Sequence, residues 1–234
     1  MSKPAQAIST WFRDSAEEAA MEPDHAYLWG HFIRTAALPD LHVARVLDYG
    51  CNRGGFLRTL YQHRPFAAAL GVDIAADSLM AARQQASSLP IVFAPPEALT
   101  EEPERFDFAF SHEVLYLLPD LRQHAETIAA ALKPGGVYYA AIGCYIGNPL
   151  WENWHALITR TTAIPVFDYS LDDYAAAFWQ AGFDVAMRPF ALDDFVMMKP
   201  ANAYFPSVAD SLDYHSRVKT IMRARKRGAI VQAP

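Results

Sequence analysis

Short apolar runs alternate with longer amphipathic segments through the middle of the chain. Five of the runs are typical of buried strands: ARVLDYG (44–50), AALGVDI (68–74), PIVFA (90–94), FDFAFS (106–111) and VYYAAIGC (137–144). The segments between them predict helices, two of which begin near the N-cap candidates Asp77 and Asp120. Strands that alternate with helices predict a parallel α/β sheet that is covered on both faces and doubly wound.

The pattern changes on both sides of this alternation. Residues 9–37 carry apolar side chains at roughly helical spacing, which predicts one or two helices before the first strand. Residues 145–169 are aromatic and contain two prolines, which predicts a partly helical insertion over the edge of the sheet. We therefore divide the chain into an N-terminal helical cap segment (1–42), a main domain with the insertion as a cap (43–200) and a C-terminal tail (201–234).

The main domain is expected to end in an antiparallel hairpin. After a helix that begins at the capping box Ser170–Asp173, FDVAMRPF and DFVMMK (183–190 and 194–199) read as strands joined by only ALDD. A parallel crossover needs about a dozen residues or more, so this pair must be antiparallel. We therefore expect a seven-stranded sheet, mostly parallel with one antiparallel strand. In the tail, apolar residues loosely in helical phase predict one amphipathic helix over 207–228.

Composition bounds the class of protein. With 52% hydrophobic and 20% charged residues the chain is expected to be globular, and 234 residues bury enough surface for one domain without disulfides. The two cysteines, Cys51 and Cys144, are far apart, which argues against a disulfide framework and a cysteine metal cluster. The first twelve residues have no apolar stretch of signal-peptide length, and no run of about 18 apolar residues occurs, so we expect a cytoplasmic protein without a membrane span.

The net charge of −6 is unevenly distributed. From residue 207 onward six basic residues accompany two acidic ones, so this segment carries +4 and the remainder −10. An acidic body argues against a broad nucleic-acid footprint, which requires a basic face. The basic tail itself has three interpretations: a nucleic-acid arm, a solvated helix end, or the contact of a homodimer.

The chemically informative segment is VLDYGCNRGGF (46–56), between the first strand and the helix that follows it. A glycine-rich turn at this point lets the backbone approach a ligand closely. The segment fits a damaged dinucleotide fingerprint, G-x-N-x-x-G from Gly50 to Gly55. It equally fits D-x-G-x-N-x-G from Asp48 to Gly54, a pattern of enzymes that bind S-adenosylmethionine.

Two aspartates and the expected hairpin distinguish these ligands. Asp48 would hold a cationic group by charge-assisted hydrogen bonding, directly or through water, and would repel a pyrophosphate. Asp73 ends the second strand, 23 residues after Gly50, where a carboxylate accepts hydrogen bonds from the ribose hydroxyls of either ligand. The ordinary dinucleotide-binding fold has all of its strands parallel, so an antiparallel strand argues against it. These features favour S-adenosylmethionine, whose ammonium and sulfonium groups are cationic.

Four segments together resemble the class I S-adenosylmethionine-dependent methyltransferases in order and spacing: VLDYGCNRGGF, GVDIAADSL, FDFAFSHEVLYLLPD and LKPGGVYYAAIG. The resemblance covers about residues 43–200 and implies a Rossmann-like methyltransferase fold with S-adenosylmethionine as cofactor. It implies that the first loop contacts the methionine part, that Asp73 binds the ribose and that residues 111–116 line the methyl-donor pocket. The chain departs from the pattern at Asn52, which replaces the middle glycine, and at Glu97, which two prolines displace from the place of an acid near the adenine.

The expected cofactor contacts follow from this resemblance. Asn52 tolerates left-handed backbone better than most residues, so the loop is expected to keep its geometry. The adenine contact is assigned to the backbone of Ala94 in place of an acid. The expected cofactor-binding residues are Asp48, Gly50, Cys51, Asn52, Gly54, Asp73, Ile74, Ala94 and Ser111.

Methyl transfer from a sulfonium is an in-line displacement in which the enzyme mainly supplies alignment. A base is needed only if the acceptor loses a proton, so no catalytic side chain is obligatory. The candidate bases are His112, which follows the fourth strand and would serve a phenol, carboxylic acid or amine, and His155 in the insertion. The alternative for His112 is packing or a hydrogen bond beside the loop, and Glu113 is interpreted as a carboxylate at the start of a loop or helix.

Aromatic residues supply the candidate substrate contacts. Trp151, Trp154 and His155 are three or four residues apart, so one helical face presents all three, either as a lid over the acceptor or as packing of the insertion onto the domain. The expected substrate-binding residues are Tyr27, Trp29, Tyr116, Tyr145, Trp151 and Trp154. The histidines near the N-terminus lack the spacing of a metal site, and no metal is expected.

The sequence therefore predicts a methyltransferase that moves a methyl group from S-adenosylmethionine to an oxygen or nitrogen of a small-molecule acceptor. One alternative is an RNA or protein methyltransferase guided by the basic tail. Against nucleic acid, residues 111–114 read SHEV and lack the N/D-P-P-Y/F element of amino-methylating DNA and some RNA enzymes. A further alternative is a protein that binds S-adenosylmethionine without turnover.

Overall fold

A seven-stranded sheet forms the centre of the computed structural model, which describes residues 8–100, 103–197 and 202–228. In chain order the strands are β1 (Arg45–Tyr49), β2 (Ala68–Val72), β3 (Ile91–Ala94), β4 (Phe106–His112), β5 (Leu132–Ile142), β6 (Phe183–Pro189) and β7 (Thr220–Lys226). Their order across the sheet is β3-β2-β1-β4-β5-β7-β6. Among these seven strands β7 runs opposite to the other six, antiparallel to both β5 and β6. The prediction of a doubly wound, mostly parallel sheet with one antiparallel strand is confirmed.

Helices cover the sheet and follow the sequence signals closely. The described residues form α1 (Ser15–Thr35), α2 (Gly55–His63), α3 (Ala76–Gln85), α4 (Leu121–Ala131), α5 (Trp151–Thr161), α6 (Leu171–Gln180) and α7 (Val208–Asp213), the last continued by one π-helical turn (Tyr214–Val218). The caps at Asp120 and at Ser170 with Asp173 are confirmed. Asp77 instead lies in the first turn of α3, because that helix begins at Ala76 with Ala75 as its N-cap. Among these helices, none combines the length and apolar character needed to cross a membrane.

Strand side chains alternate between two cores, one on each face of the sheet. Val46 and Leu47 are neighbours in β1, both are fully buried, and they point into opposite cores. One core lies beneath α4 and α6, and the other beneath α1, α2 and α3. Burial of such side chains contributes roughly 1.5–3 kcal/mol each, which explains why the central strands are apolar on both faces.

The last strand lies in a different segment from the one predicted. Residues 194–197 of the predicted second strand are irregular, and 198–199 lie outside the described residues. The partner of β6 is β7, inside the segment predicted to be one helix over 207–228, of which only 208–218 is helical. Met222 and Ala224 are fully buried while Arg223 and Arg225 are exposed, which is the two-residue period of a strand. Pairing with strands on both sides overrides the weak helical spacing of this segment.

Candidate functional site

The candidate site lies at the carboxyl end of the sheet, where the strand order reverses. β1 pairs with β2 on one side and with β4 on the other, so the loops that follow β1 and β4 leave the sheet next to each other. In open α/β sheets, ligands bind in the crevice at such a point. The predicted cofactor loop, residues 50–54, and the predicted base His112 are both at this end.

The loop after β1 has a left-handed turn geometry despite Asn52. Gly50, Asn52 and Gly54 have φ angles of 79°, 47° and 75°, so every second residue is left-handed. Asn52 thus adopts the conformation of the glycine that it replaces. A Cβ atom at Gly54 would lie 2.6 Å from the Phe93 ring, so glycine is required there by both conformation and space.

Asp73 links this loop to the start of α3. Its Oδ2 accepts a hydrogen bond from the Asn52 N–H at 2.7 Å, and its Oδ1 accepts one from the Ala75 N–H at 2.9 Å. Burial raises the pKa of the carboxyl, and these two backbone donors oppose the rise. Each carboxylate oxygen has a second lone pair, which leaves acceptor capacity for the ribose hydroxyls of the expected cofactor.

Asp48 presents a buried polar atom that the protein does not satisfy. The residue is 2% exposed, and its Oδ2 has no hydrogen-bond partner in the described part of the chain. Burial, followed by the nearby charge of Asp73, raises the pKa of this carboxyl well above its usual value. A cationic group would supply both the missing hydrogen bond and the missing countercharge. The ammonium of S-adenosylmethionine has this chemistry.

His112, at the end of β4, presents a second such atom. Its Nε2 is buried and finds no hydrogen-bond partner among the residues that the structure describes. The ring packs against Phe56 and Phe32, with centroid distances of 4.1 Å and 4.6 Å. Burial, and then the charge of Lys219, lower the pKa of the imidazole well below its usual value. The lowered pKa favours the neutral imidazole, and its Nε2 is enclosed by the protein without a hydrogen bond. A catalytic role of His112 stays a prediction.

A charged cluster beside His112 was not predicted from the sequence. Glu113 forms an ion pair with Lys219, accepts a hydrogen bond from the Gly143 N–H at 2.9 Å and one from the Tyr214 hydroxyl at 3.4 Å. We call these four residues the Glu113 cluster. Glu113 itself has a left-handed φ of 54°, which is uncommon outside glycine and points to a tightly determined position.

The other predicted cofactor residues surround the loop. Cys51 is buried, and burial raises the pKa of its thiol. Ser111 donates a hydrogen bond to the Tyr49 carbonyl at 3.0 Å and thereby joins β4 to β1. The Ala94 carbonyl accepts from the Asp73 N–H at 3.3 Å, and Ile74 is about half exposed beside it. The roles of these residues toward the cofactor stay predictions.

The two tryptophans of α5 have their indole N–H groups satisfied inside the protein. Trp151 donates to the Asp168 carboxylate at 2.8 Å, and Trp154 donates to the Tyr204 carbonyl at 2.6 Å. The Trp154 ring also packs against Tyr214, with centroids 4.8 Å apart. These contacts favour packing of the insertion onto the C-terminal segment, and substrate contact by either tryptophan stays a prediction.

The remaining residues of the insertion are held in place by the protein as well. The His155 imidazole is half-buried, with its Nε2 3.9 Å from an Asp168 oxygen. The Tyr145 hydroxyl donates to the Val218 carbonyl at 2.8 Å. Tyr116 is buried, and burial raises the pKa of its phenol well above the usual value. A role of His155 as a base, and of the two tyrosines in substrate binding, stays a prediction.

α1 brings Trp29 to the start of α2. A Cβ atom at Gly55 would lie 2.6 Å from the Trp29 ring, and this ring stacks on His25 with centroids 6.0 Å apart. Tyr27 lies on the same helix and is half-buried. Trp29 therefore packs one residue after the cofactor loop ends. The roles of Trp29 and Tyr27 in substrate binding stay predictions.

A segment that we call the N-terminal strap, residues 8–13, connects the two sides of the site. The Ala76 N–H donates to the Ile8 carbonyl at 2.9 Å, at the start of α3. The Arg13 N–H donates to the Thr161 carbonyl at 2.9 Å, at the end of α5. The strap thus ties the cofactor side, near Asp73, to the insertion.

Comparison with known proteins identifies the family. The sequence model of a methyltransferase domain matches residues 21–187. A trans-aconitate 2-methyltransferase from Methylobacterium nodulans is 31% identical over 142 residues, covering 61% of this chain and 53% of the relative. A malonyl-[acyl-carrier protein] O-methyltransferase from Salmonella typhimurium is 27% identical over 179 residues, covering 75% and 69%. The chain spans about half the length of the trans-aconitate 2-methyltransferases that it matches.

A solved structure gives the same fold. A methyltransferase in complex with the Haloferax volcanii Trm112 methyltransferase activator has a TM-score of 0.75 and 24% identity, covering 91% of this chain and 94% of its own. The unsatisfied oxygen of Asp48, the acceptor capacity of Asp73 and the left-handed loop fit S-adenosylmethionine, which is the cofactor. The chain therefore belongs to the methyltransferase domain family and to the class I S-adenosylmethionine-dependent methyltransferases that its sequence resembles.

Proposed function

We propose that this protein transfers a methyl group to an oxygen of a small organic acid, within the class of oxygen and nitrogen acceptors that the sequence predicts. The observation that carries the proposal is the presence of two buried, unpartnered polar atoms at one edge of the sheet, Asp48 Oδ2 and His112 Nε2. The first suits the cation of the cofactor and the second suits a polar acceptor. Two relatives support an acid, because trans-aconitate and the malonyl group both carry carboxylates.

The residues of the chain act mainly by alignment. Bound S-adenosylmethionine supplies a methyl group on a positively charged sulfur. Asp48 would bind the ammonium end, Asp73 the ribose hydroxyls and the loop backbone the methionine part. Holding two reactants in register contributes about 7–11 kcal/mol. A carboxylate acceptor is already ionised at neutral pH and needs no base, whereas a phenol or amine would give its proton to the neutral His112.

A transfer assay tests this proposal. The full chain would be incubated with S-adenosylmethionine and a panel containing trans-aconitate, a malonyl thioester, phenols and amines, with products identified by mass spectrometry. We expect a methyl ester of an acid and an equal amount of S-adenosylhomocysteine. Methylation of phenols or amines alone would show that the acceptor class is wrong. Binding of S-adenosylhomocysteine without transfer to any compound would favour the non-catalytic alternative.

Substitution of His112 by leucine is expected to lower kcat/KM for the acceptor by roughly tenfold, the effect of losing about one hydrogen bond. Leucine keeps the apolar packing against Phe32 and Phe56, so the Kd of S-adenosylhomocysteine should change little. Steady-state kinetics and calorimetry measure the two effects. His155→Leu is the matched control. A larger loss of kcat/KM in that variant would mean that His155 in the insertion, and not His112, contacts the acceptor.

The same site predicts the pH dependence of the unsubstituted enzyme. Because the pKa of His112 is well below its usual value of about 6.5, the imidazole stays neutral as the pH falls from about 8 to 6. The contribution of His112 to the rate with an acid acceptor, measured as the difference between the unsubstituted enzyme and His112→Leu, should therefore be nearly constant over this window and fall only at lower pH. A drop centred near the usual histidine pKa that disappears in His112→Leu would contradict this assignment.

An RNA or protein methyltransferase is the second candidate, because β7 exposes Arg223 and Arg225 and because the solved relative is bound to the Trm112 activator. The position of these arginines argues against it. Arg225 pairs with Val137 while Thr220 pairs with Ile142, so Arg225 lies five residues, roughly 17 Å, from the carboxyl end of β5. Arg223 pairs with Tyr139, three residues or roughly 10 Å from the same end, so both arginines lie away from the carboxyl edge of the sheet.

Replacing Arg223 and Arg225 together by alanine separates the two candidates. Methylation of a small acid should be unchanged, because neither side chain lies at the crevice. If the substrate is RNA, binding should weaken for all sequences, and the slope of log Kd against log salt should fall by about 2. Filter binding at several salt concentrations gives this slope. A cytoplasmic location and a homodimer stay predictions.

A further inference from the structure

Lys219 places a buried cation at the acceptor end of the candidate site. The residue is 5% exposed and immediately precedes β7. Its Nζ lies 5.5 Å from the centroid of the Phe190 ring and 5.6 Å from that of Tyr214. A buried ammonium is unfavourable unless it is paired and hydrogen-bonded. Lys219 must therefore have contacts that offset this cost, or a function that requires the charge.

The contacts of Lys219 compensate its charge only in part. An ammonium has three N–H donors. Within the described residues, Glu113 takes one and the Tyr214 hydroxyl, at 3.3 Å, takes another. Glu113 shares its own charge with the Gly143 N–H and Tyr214. The third donor has no acceptor among the described residues, and it is the group that we assign to an anion.

The strand register places Lys219 where an acceptor would lie. β4 is the strand of His112, β5 follows it in the sheet, and Thr220 of β7 pairs with the last residue of β5, Ile142. Neighbouring strands are about 4.8 Å apart, so β4 and β7 are separated by roughly 10 Å at this edge. Lys219 also helps to lower the pKa of His112, which shows that the two groups are within electrostatic reach. A small molecule can span this distance.

We propose that Lys219 binds a carboxylate of the methyl acceptor, and that the acceptor is an organic acid with at least two carboxylates. One carboxylate contacts the Lys219 ammonium and the other is presented to the methyl group. An oxygen of the second forms the new bond to the methyl carbon, while the carbon–sulfur bond breaks and its electron pair stays on sulfur. The products are a methyl ester and S-adenosylhomocysteine, and no proton is transferred. This inference rests on the proposed function.

In this arrangement the negative charge of Glu113 repels the bound acid, so substitutions of Lys219 and Glu113 should change the affinity for the acid in opposite directions. Lys219→Met removes the cation and should weaken binding of a diacid, while Lys219→Arg, which keeps the charge, should retain it. Glu113→Gln removes the competing anion and should tighten binding of the same diacid. If the ion pair only holds the tail to the sheet, Lys219→Met and Glu113→Gln should both weaken binding or destabilise the fold.

The probes are fumarate, its monoamide fumaramate and trans-aconitate, titrated by calorimetry into each variant loaded with S-adenosylhomocysteine. We expect the unsubstituted protein to prefer fumarate over fumaramate by roughly tenfold, and Lys219→Met to lose this preference, as expected for one charge-assisted contact. An equal loss for both probes, or changes of the same sign in Lys219→Met and Glu113→Gln, would overturn the inference. So would binding of S-adenosylhomocysteine without binding of any acid. Failure of S-adenosylhomocysteine itself to bind would instead overturn the proposed function.

Discussion

Replacing Asp73 by alanine is expected to weaken binding of S-adenosylmethionine by more than about tenfold. The carboxylate accepts the N–H groups of Asn52 and Ala75 at 2.7 Å and 2.9 Å, and so holds both the left-handed loop and the start of α3. The substitution removes two hydrogen bonds to a charged group, each worth about 1.5–3 kcal/mol, together with the acceptor for the ribose hydroxyls. Calorimetry with S-adenosylhomocysteine measures the change in Kd.

Asp77→Ala is the matched control for this experiment. Asp77 carries the same charge in the first turn of α3 and is exposed, and it bonds to Ser9 only through its backbone N–H. Its substitution should leave the Kd nearly unchanged. Equal weakening in both variants would mean that the general negative charge of this region, and not the contacts of Asp73, determines affinity.

The cofactor half of the site could be predicted from the sequence because its constraints are local. Gly50, Asn52 and Gly54 share a short loop whose alternate residues need left-handed backbone, and sequence patterns record such needs directly. Asp73 directly follows a strand that an apolar run identifies. Strand ends in a parallel sheet meet at one edge, so the proximity of Asp48 and Asp73 follows from the order of elements.

The acceptor half could not be predicted in the same way. The ion pair of Glu113 and Lys219 joins residues 106 positions apart, and no local pattern specifies it. Lys219 reaches the site only because β7 enters the sheet beside β5. Val218 and Met222 are four residues apart, which also fits a helix, so the strand depends on tertiary pairing that the sequence does not display.

The insertion shows a related limit. The spacing of Trp151 and Trp154 predicts that they share a helical face, and both are buried. Periodicity does not identify what lies opposite that face. Here the opposite surface includes Tyr204 and Tyr214, which come from the segment that was predicted to be a separate tail. The wrong helical assignment of residues 220–226 hid the position of Lys219. The packing of the insertion was hidden for a different reason, because Tyr204 and Tyr214 are about 50 and 60 residues from Trp154 and no local pattern specifies the contact.

Deletion of residues 215–234 is expected to prevent folding of the sheet. β7 lies between β5 and β6 and hydrogen-bonds to both, so its removal leaves β6 without a partner and exposes one edge of β5, which still pairs with β4. Ile221 and Met222 are buried in opposite cores, and each contributes about 1.5–3 kcal/mol. The whole stability of a domain is typically only about 5–15 kcal/mol. The loss of these two side chains, about 3–6 kcal/mol, is already comparable to that margin, and the loss of the hydrogen-bonded ladder on both sides of β7 adds to it.

Two truncations measured by circular dichroism and thermal unfolding test this expectation. A chain ending at residue 228 keeps β7 and should unfold cooperatively near the Tm of the full chain. A chain ending at residue 214 should be insoluble or show no cooperative transition. Cooperative unfolding of the shorter chain near the same Tm would mean that this segment is dispensable, as a separate surface helix would be, and the strand order would then be wrong. Because the strand and helix assignments predict opposite results, this truncation tests the strand order of the sheet. A chain that does not fold gives no information on nucleic-acid binding, which the arginine substitutions in β7 test instead.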